Sequence, residues 1–137
     1  APRALTKTNV KDLSSSVALV NAIATVSRNF KPDLHIAELP IGSKSYRAAV
    51  SYALCIGVLG SIPSHQLITV SPDEVKKVVG NNDPTKQDMV NWVLSQYPKC
   101  PFPDHNGKIN MSKAEHMADA IIAAHAALNL NKLIGYM

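Results

Sequence analysis

The chain has 137 residues, a length that fits one domain, and is 46% hydrophobic and 18% charged, which excludes wholesale disorder and a collagen-like fibre and requires a buried core. Fourteen Lys and Arg against ten Asp and Glu leave a net charge of +4, a mild bias toward polyanions, while 5% aromatic content leaves few rings on which bases could stack. Two cysteines without a Cys-X-X-Cys pair, no secretory leader pattern and no apolar run approaching about 18 residues make a reducing cytoplasm the expected setting and exclude a membrane-spanning helix.

In chain order, Arg3 to Asn9 shows a rough polar–apolar alternation that fits either a short edge strand or a polar lead. Asp12 is placed to cap a helix reaching Phe30, with Leu13, Val17, Val20 and Ala24 on one line and Leu19, Ile23, Val26 and Phe30 on the next, so a broad buried face is expected. Pro32 and Asp33 end it, and Leu34 to Glu38 reads as a short strand closed by Pro40 and Gly42. Ser43 opens the next helix, where Ala49, Ala53 and Gly57 recur every four residues and would allow close backbone approach; Cys55 is expected in its core-facing side. Gln66 to Val70 is the clearest strand. Ser71-Pro72-Asp73-Glu74 directly after it forms a capping box with proline at the first helical position, and Gly80 supplies the stop. Asp83-Pro84 predicts another helix start, running through Trp92 to Tyr97. Residues 98–111 lack helical period and are expected to be a mobile loop, before a last helix from Ser112 to Leu128. Strand–helix alternation in this order predicts one α/β domain with parallel strands.

The acids carry the chemistry. Glu38 closes an otherwise apolar strand, and ligands gather at the carboxyl ends of strands in open α/β sheets; a solvated strand end is the plain alternative. In the last helix Glu115, His116 and Asp119 compete: three- or four-residue spacing puts either His116 or Glu115 on one face with Asp119. Ser112-Lys113-Ala114-Glu115 is itself a capping-box pattern, which gives Glu115 a structural use. His116 and Asp119 enter a nearly all-apolar stretch and need partners, either a metal ion or each other, and the residues leave that choice open. Asp104 to Ile109 resembles the middle of an EF-hand loop, but aligning Gly107 with its glycine puts Phe102 and Lys113 at ligand positions, so calcium is excluded. Cys100 and His105 lack zinc-site spacing, and no Walker lysine follows Gly80. Lys44, Arg47, Lys76, Lys77 and Lys86 follow the two strands at one expected end of the sheet, where together they could contact phosphates.

The order of these segments resembles the RuvC family of Holliday-junction resolvases, whose fold is RNase H-like, and in particular its short phage members. Lys31-Pro32-Asp33-Leu34-His35-Ile36-Ala37-Glu38 is similar to the family's Pro-Asp-strand-Glu segment; Gly42 to Ala48 resembles the phage form of the following helix start. Ser71 to Gly80 with Lys86 resembles its strand-helix-Gly-Lys passage, and His116-Met117-Ala118-Asp119-Ala120 its terminal ligand pair. The resemblance spans nearly the whole chain. It implies Glu38, His116 and Asp119 as metal-binding catalytic residues and leaves Glu115 to capping or a supporting role. It also implies two Mg2+ or Mn2+ ions that drive in-line hydrolysis of a DNA phosphodiester, phosphate contacts from Lys44, Arg47, Lys76, Lys77 and Lys86, and a homodimer on branched DNA. Two departures stand out. The family's first Asp lies on an initial strand with no counterpart here, and Asp12 does not replace it, so an amino-terminally shortened domain is expected. Ile41 stands near the place where some members carry an aromatic wedge, which makes branched DNA a safer substrate than the four-way junction alone. The alternatives are an RNase H-like module that binds DNA without cutting it, inactive as this segment because the family's first catalytic Asp is absent, and, further off, an interaction domain whose acids are structural.

Overall fold

No proline or glycine interrupts the chain between Arg3 and Phe30. In the computed structural model, which describes residues 3–134, that stretch is one helix, α1 (Arg3–Phe30). The edge strand expected at Arg3 to Asn9 is therefore not formed: seven residues of loose alternation include no turn residue that would separate them from the helix behind. Asp12 sits within α1 instead of capping it, and its carboxylate accepts two hydrogen bonds from the Arg47 guanidinium, at 2.7 and 3.1 Å.

The remaining elements are β1 (His35–Glu38), α2 (Tyr46–Leu59), a single 3-10 turn at Ser64–Gln66, β2 (Leu67–Val70), α3 (Pro72–Val79), α4 (Lys86–Gln96), β3 (Asp104–His105), β4 (Lys108–Ile109) and α5 (Met111–Asn129). The fold is mixed α/β with helix predominant. β1 and β2 are hydrogen-bonded neighbours in a two-stranded sheet, continued by the Leu39 amide donating to the Val70 carbonyl at 2.9 Å. None of the described helices is long and apolar enough to cross a membrane.

The chain divides into two compact units. One takes the residues up to His35 together with Pro40–Leu67; the other takes Ile36–Leu39 and the chain from Ile68 onward. In the first unit α1 packs on α2, whose buried residue is Val58. The broad face expected to be buried on α1 is open: Leu13, Val17 and Val20 are 66%, 50% and 41% exposed. A single neighbouring helix covers one line of a helix, and the adjoining apolar line needs a second neighbour. The Ala49, Ala53 and Gly57 stripe likewise lies on the exposed side of α2, with open space where a Gly57 side chain would be, and Cys55 is exposed rather than in the core.

The second unit holds most of the core. On α5, Ala114, Ala118, Ile122 and Ala126 repeat every four residues and are all but fully buried, with Ala123 and Ala127 beside them. Small side chains along this ridge let α3 and α4 lie close, presenting Val75, Met89, Val90 and Val93. Trp92 meets the His125 ring edge-on at 5.0 Å, and the Tyr97 hydroxyl is hydrogen-bonded to His125 Nε2 at 2.8 Å, which fastens α4 to α5 at the surface.

Local sequence explains most boundaries. Ser71 and Glu74 close the expected capping box at α3, Pro72 is its first residue, and Gly80 ends it in the left-handed conformation at φ +78°. At α4 the cap is Thr85, not Asp83. Thr85 and Asp88 form their own box, while the Asp83 amide donates to Asn81 Oδ1 in a turn. Ser45 replaces Ser43 as the α2 cap, and Asn110 replaces Ser112 at α5, so Glu115 takes no part in capping. The segment expected to be a loop contains the β3–β4 hairpin, with Asn106 and Gly107 both at positive φ in its two-residue turn. Asn-Gly is the strongest short-range sign of such a turn.

Candidate functional site

Within the second unit, the end of β1, the start of α3, the segment before α4 and one side of α5 surround a pocket of about 210 Å³. Glu38 reaches it from the strand, Lys76 from α3, Asp83 and Lys86 from the approach to α4 and its first turn, and Glu115 and Asp119 from successive turns of α5. Pro72, Pro84, Val75 and Met89 form its apolar floor and walls. The capping box at Ser71 sets where α3 begins, and so where Lys76 stands. The buried alanine ridge fixes the rotation of α5, and with it which acids face the pocket.

Glu38 as a residue is exposed at the rim, yet its carboxyl group has enough protein around it that burial raises its pKa above the ordinary glutamate value. The negative charge of Asp119 adds to the rise and Lys76 offsets part of it. Asp119 is raised too, first by burial and then by Glu115, against the lowering influence of His116 and Lys86. Glu38 thus feels the Asp119 charge across the pocket although β1 and α5 are far apart in the chain.

Glu115 is turned inward, its side chain 18% exposed, and both of its oxygens lie 3.0 Å from Lys86 Nζ. His116 is turned outward: its side chain is 78% exposed, it does not line the pocket, and its Nε2 comes no nearer than 4.0 Å to Glu115. Of the three expected ligands, then, Glu38 and Asp119 are brought together and His116 stands outside, while Glu115, four residues before Asp119, joins them. Asp83, read from the sequence as a helix cap, is an added pocket carboxylate; only the Asn81 turn, which moves the cap to Thr85, reveals its freedom to point there.

The basic residues divide. Lys76 and Lys86 line the pocket, Lys77 is exposed on α3, and Lys44 and Arg47 belong to the first unit. Lys44 borders an open hollow with Gly42, Ser45 and Tyr52, while Arg47 is engaged by Asp12. A further ion pair joins residues that no spacing in the sequence relates: Lys132 Nζ donates to the Thr69 carbonyl at 2.8 Å and to Glu74 Oε2 at 3.0 Å. It ties the segment after α5 to β2 and to the capping box. Glu74 is held below its ordinary pKa first by the Ser71 amide and then by Lys132.

Carboxylate oxygens are the donors that hard divalent cations prefer, and four carboxylates line this pocket, so its donor set suits Mg2+ or Mn2+ in kind. Among the described residues no three His, Cys, Asp or Glu side chains converge closely enough to hold an ion as they stand. Glu115, engaged with Lys86, is one that would have to turn. Comparison with known protein families, with curated proteins and with solved structures returns no match for this chain.

Proposed function

We propose that this chain is a metal-dependent, structure-selective endodeoxyribonuclease of the RuvC, RNase H-like type, acting as a homodimer on four-way junctions or other branched DNA. The observation that carries the reading is the meeting of Glu38 and Asp119, from a strand end and a distant helix, in one pocket where burial raises both pKa values, with Asp119 adding to the rise at Glu38 and Glu115 to that at Asp119. Paired carboxylates held at such a cost are characteristic of functional sites. The order of the sequence motifs supplies the nuclease class.

In this reading Glu38 and Asp119 hold the metal, and His116 or Glu115, adjacent on one turn of α5, supplies a further donor. Bound Mg2+ or Mn2+ would activate water and steady the leaving oxygen. The remaining work belongs to the chain. Repulsion between Glu38 and Asp119 favours a cation over an empty pocket. Lys76 and Lys86 place ammonium groups beside the carboxylates, where they can take the oxygens of the phosphate being cut. Lys77, Lys44 and Arg47 would contact flanking phosphates, Arg47 only after leaving Asp12.

Incubation with a synthetic four-way junction and Mg2+ tests the reading: cutting that Asp119→Asn abolishes while binding persists is expected. Junction binding without cutting in either Mg2+ or Mn2+ would replace the nuclease by the non-catalytic DNA-binding module.

A further inference from the structure

We propose that the hollow at the end of α1 is a binding site for a small organic carboxylate with an apolar body, its negative charge taken by Lys31. The inference concerns the first unit and stands apart from the nuclease reading.

The hollow has a volume of about 420 Å³ and lies wholly within that unit, between the last turns of α1, the segment that leads into β1 and the segment after α2. That size falls in the range of small-molecule sites and equals about fourteen waters at roughly 30 Å³ each. Val20, Ile23 and Ala24 of α1 line it together with Ile62 and Pro63. Ser27, Lys31, His35 and Gln66 bring polar groups to it, and Ser61 is engaged already, donating to the Val58 carbonyl at 2.6 Å. Ser27, His35 and Gln66 are half-buried, yet neither they nor Lys31 have a side-chain hydrogen-bond or ion-pair partner among the described residues. A few polar groups with no protein partner, set around mainly apolar walls, are what orients a ligand in a small-molecule site.

Charge selects the ligand. Among the described residues no Asp or Glu lines the hollow, and Lys31 is its one lysine or arginine. One ammonium matches one carboxylate, whereas a phosphate monoester, with a charge of about −1.5 to −2 near pH 7, would be left partly unmatched. The serine hydroxyl, the imidazole and the carboxamide are further donors for carboxylate oxygens. Lys31 also stands where glycine is usual: directly after the helix, at φ +45°, its amide donating to the Ser27 carbonyl at 2.9 Å. The backbone there favours glycine, so the lysine side chain is what the position gains.

Octanoate and octanol, alike in body and different in charge, test this by calorimetry on the full chain, with amide shift mapping by NMR to locate binding. Octanoate is expected to bind at least about tenfold more tightly than octanol, the worth of one charge-assisted hydrogen bond, with shifts at Ser27, Ile62 and Gln66. Lys31→Gly suits the positive φ and so spares the fold; it should remove the difference, and Lys31→Arg should keep it. Ala24→Phe, which fills the hollow from an exposed position on α1, should abolish octanoate binding with Lys31 unaltered. No octanoate binding at millimolar concentration, no preference over octanol, or binding indifferent to Lys31→Gly or Ala24→Phe would overturn the inference. So would shifts confined to the open Leu13 and Val17 face of α1. Each of these results leaves the nuclease reading standing, because none involves the second unit.

Discussion

Asp119 and Glu38 are acids kept in surroundings that favour their neutral forms, for burial raises both pKa values, with a neighbouring carboxylate adding to each, Glu115 at Asp119 and Asp119 at Glu38. Between the ordinary carboxylate range and those raised values, the folded chain binds more protons than the unfolded chain. Stability therefore rises as pH falls through that window, and at neutral pH both charges work against folding. Asp119→Asn should raise the melting temperature at pH 7, with the gain shrinking as the pH approaches 4; thermal melts across that range check it. A loss at neutral pH would mean that the Asp119 carboxylate stabilises the fold. The pair was legible in the sequence only as candidates, because spacing says which residues of α5 share a face but not how the helix is rotated. Ala114, Ala118 and Ile122 decide the rotation by being buried, and that turns Glu115 inward and His116 outward. Glu115 also lost its structural use when Asn110, one residue before the helix, took the cap.

At the scale of elements, short-range chemistry was read well wherever side chain and backbone are neighbours. The Ser71–Glu74 capping box formed as read, and Ser71→Ala should cost about 1 kcal/mol in denaturant unfolding, with α3 loosening over the Lys76 side of the pocket. α5 depends on packing instead. Ile122 is fully buried among alanines that cannot refill its space, so Ile122→Ala should cost about 2–5 kcal/mol in chemical denaturation. A cost under about 1 kcal/mol would mean that the ridge is not the core it is taken to be. The elements that went unread failed for physical reasons. Alternation over Arg3 to Asn9 was too short to specify a strand against an uninterrupted helix. The Asn106-Gly107 turn gives little hairpin signal in the sequence because its strands are only two residues long. Thr85 won the α4 cap because Asp88 completes its box, which Asp83 lacks.

Across the whole molecule, apolar burial is unevenly shared. The second unit carries the Ile122, Val70, Val90 and Val93 core, whereas α1 in the first leaves Leu13, Val17 and Val20 open. Backbone hydrogen bonds survive longest where burial is greatest, so amide exchange should be slowest in α5 and the adjoining face of α4 and markedly faster along α1. Equal protection of α1 and α5 would show that α1 gains cover in solution. Composition gave the expectation of one well-buried domain, and it could not distinguish an apolar face that is covered from one that is not.

The central claim is that the Glu38–Asp119 pocket is a metal-dependent nuclease centre. It is tested most directly by incubating the chain and its Asp119→Asn variant with a labelled synthetic four-way junction in Mg2+, following binding by gel shift and cutting by denaturing electrophoresis. The account predicts strand cutting by the unaltered chain, its loss in Asp119→Asn, and junction binding by both; junction binding by both with cutting by neither, or cutting unaffected by the substitution, would contradict it.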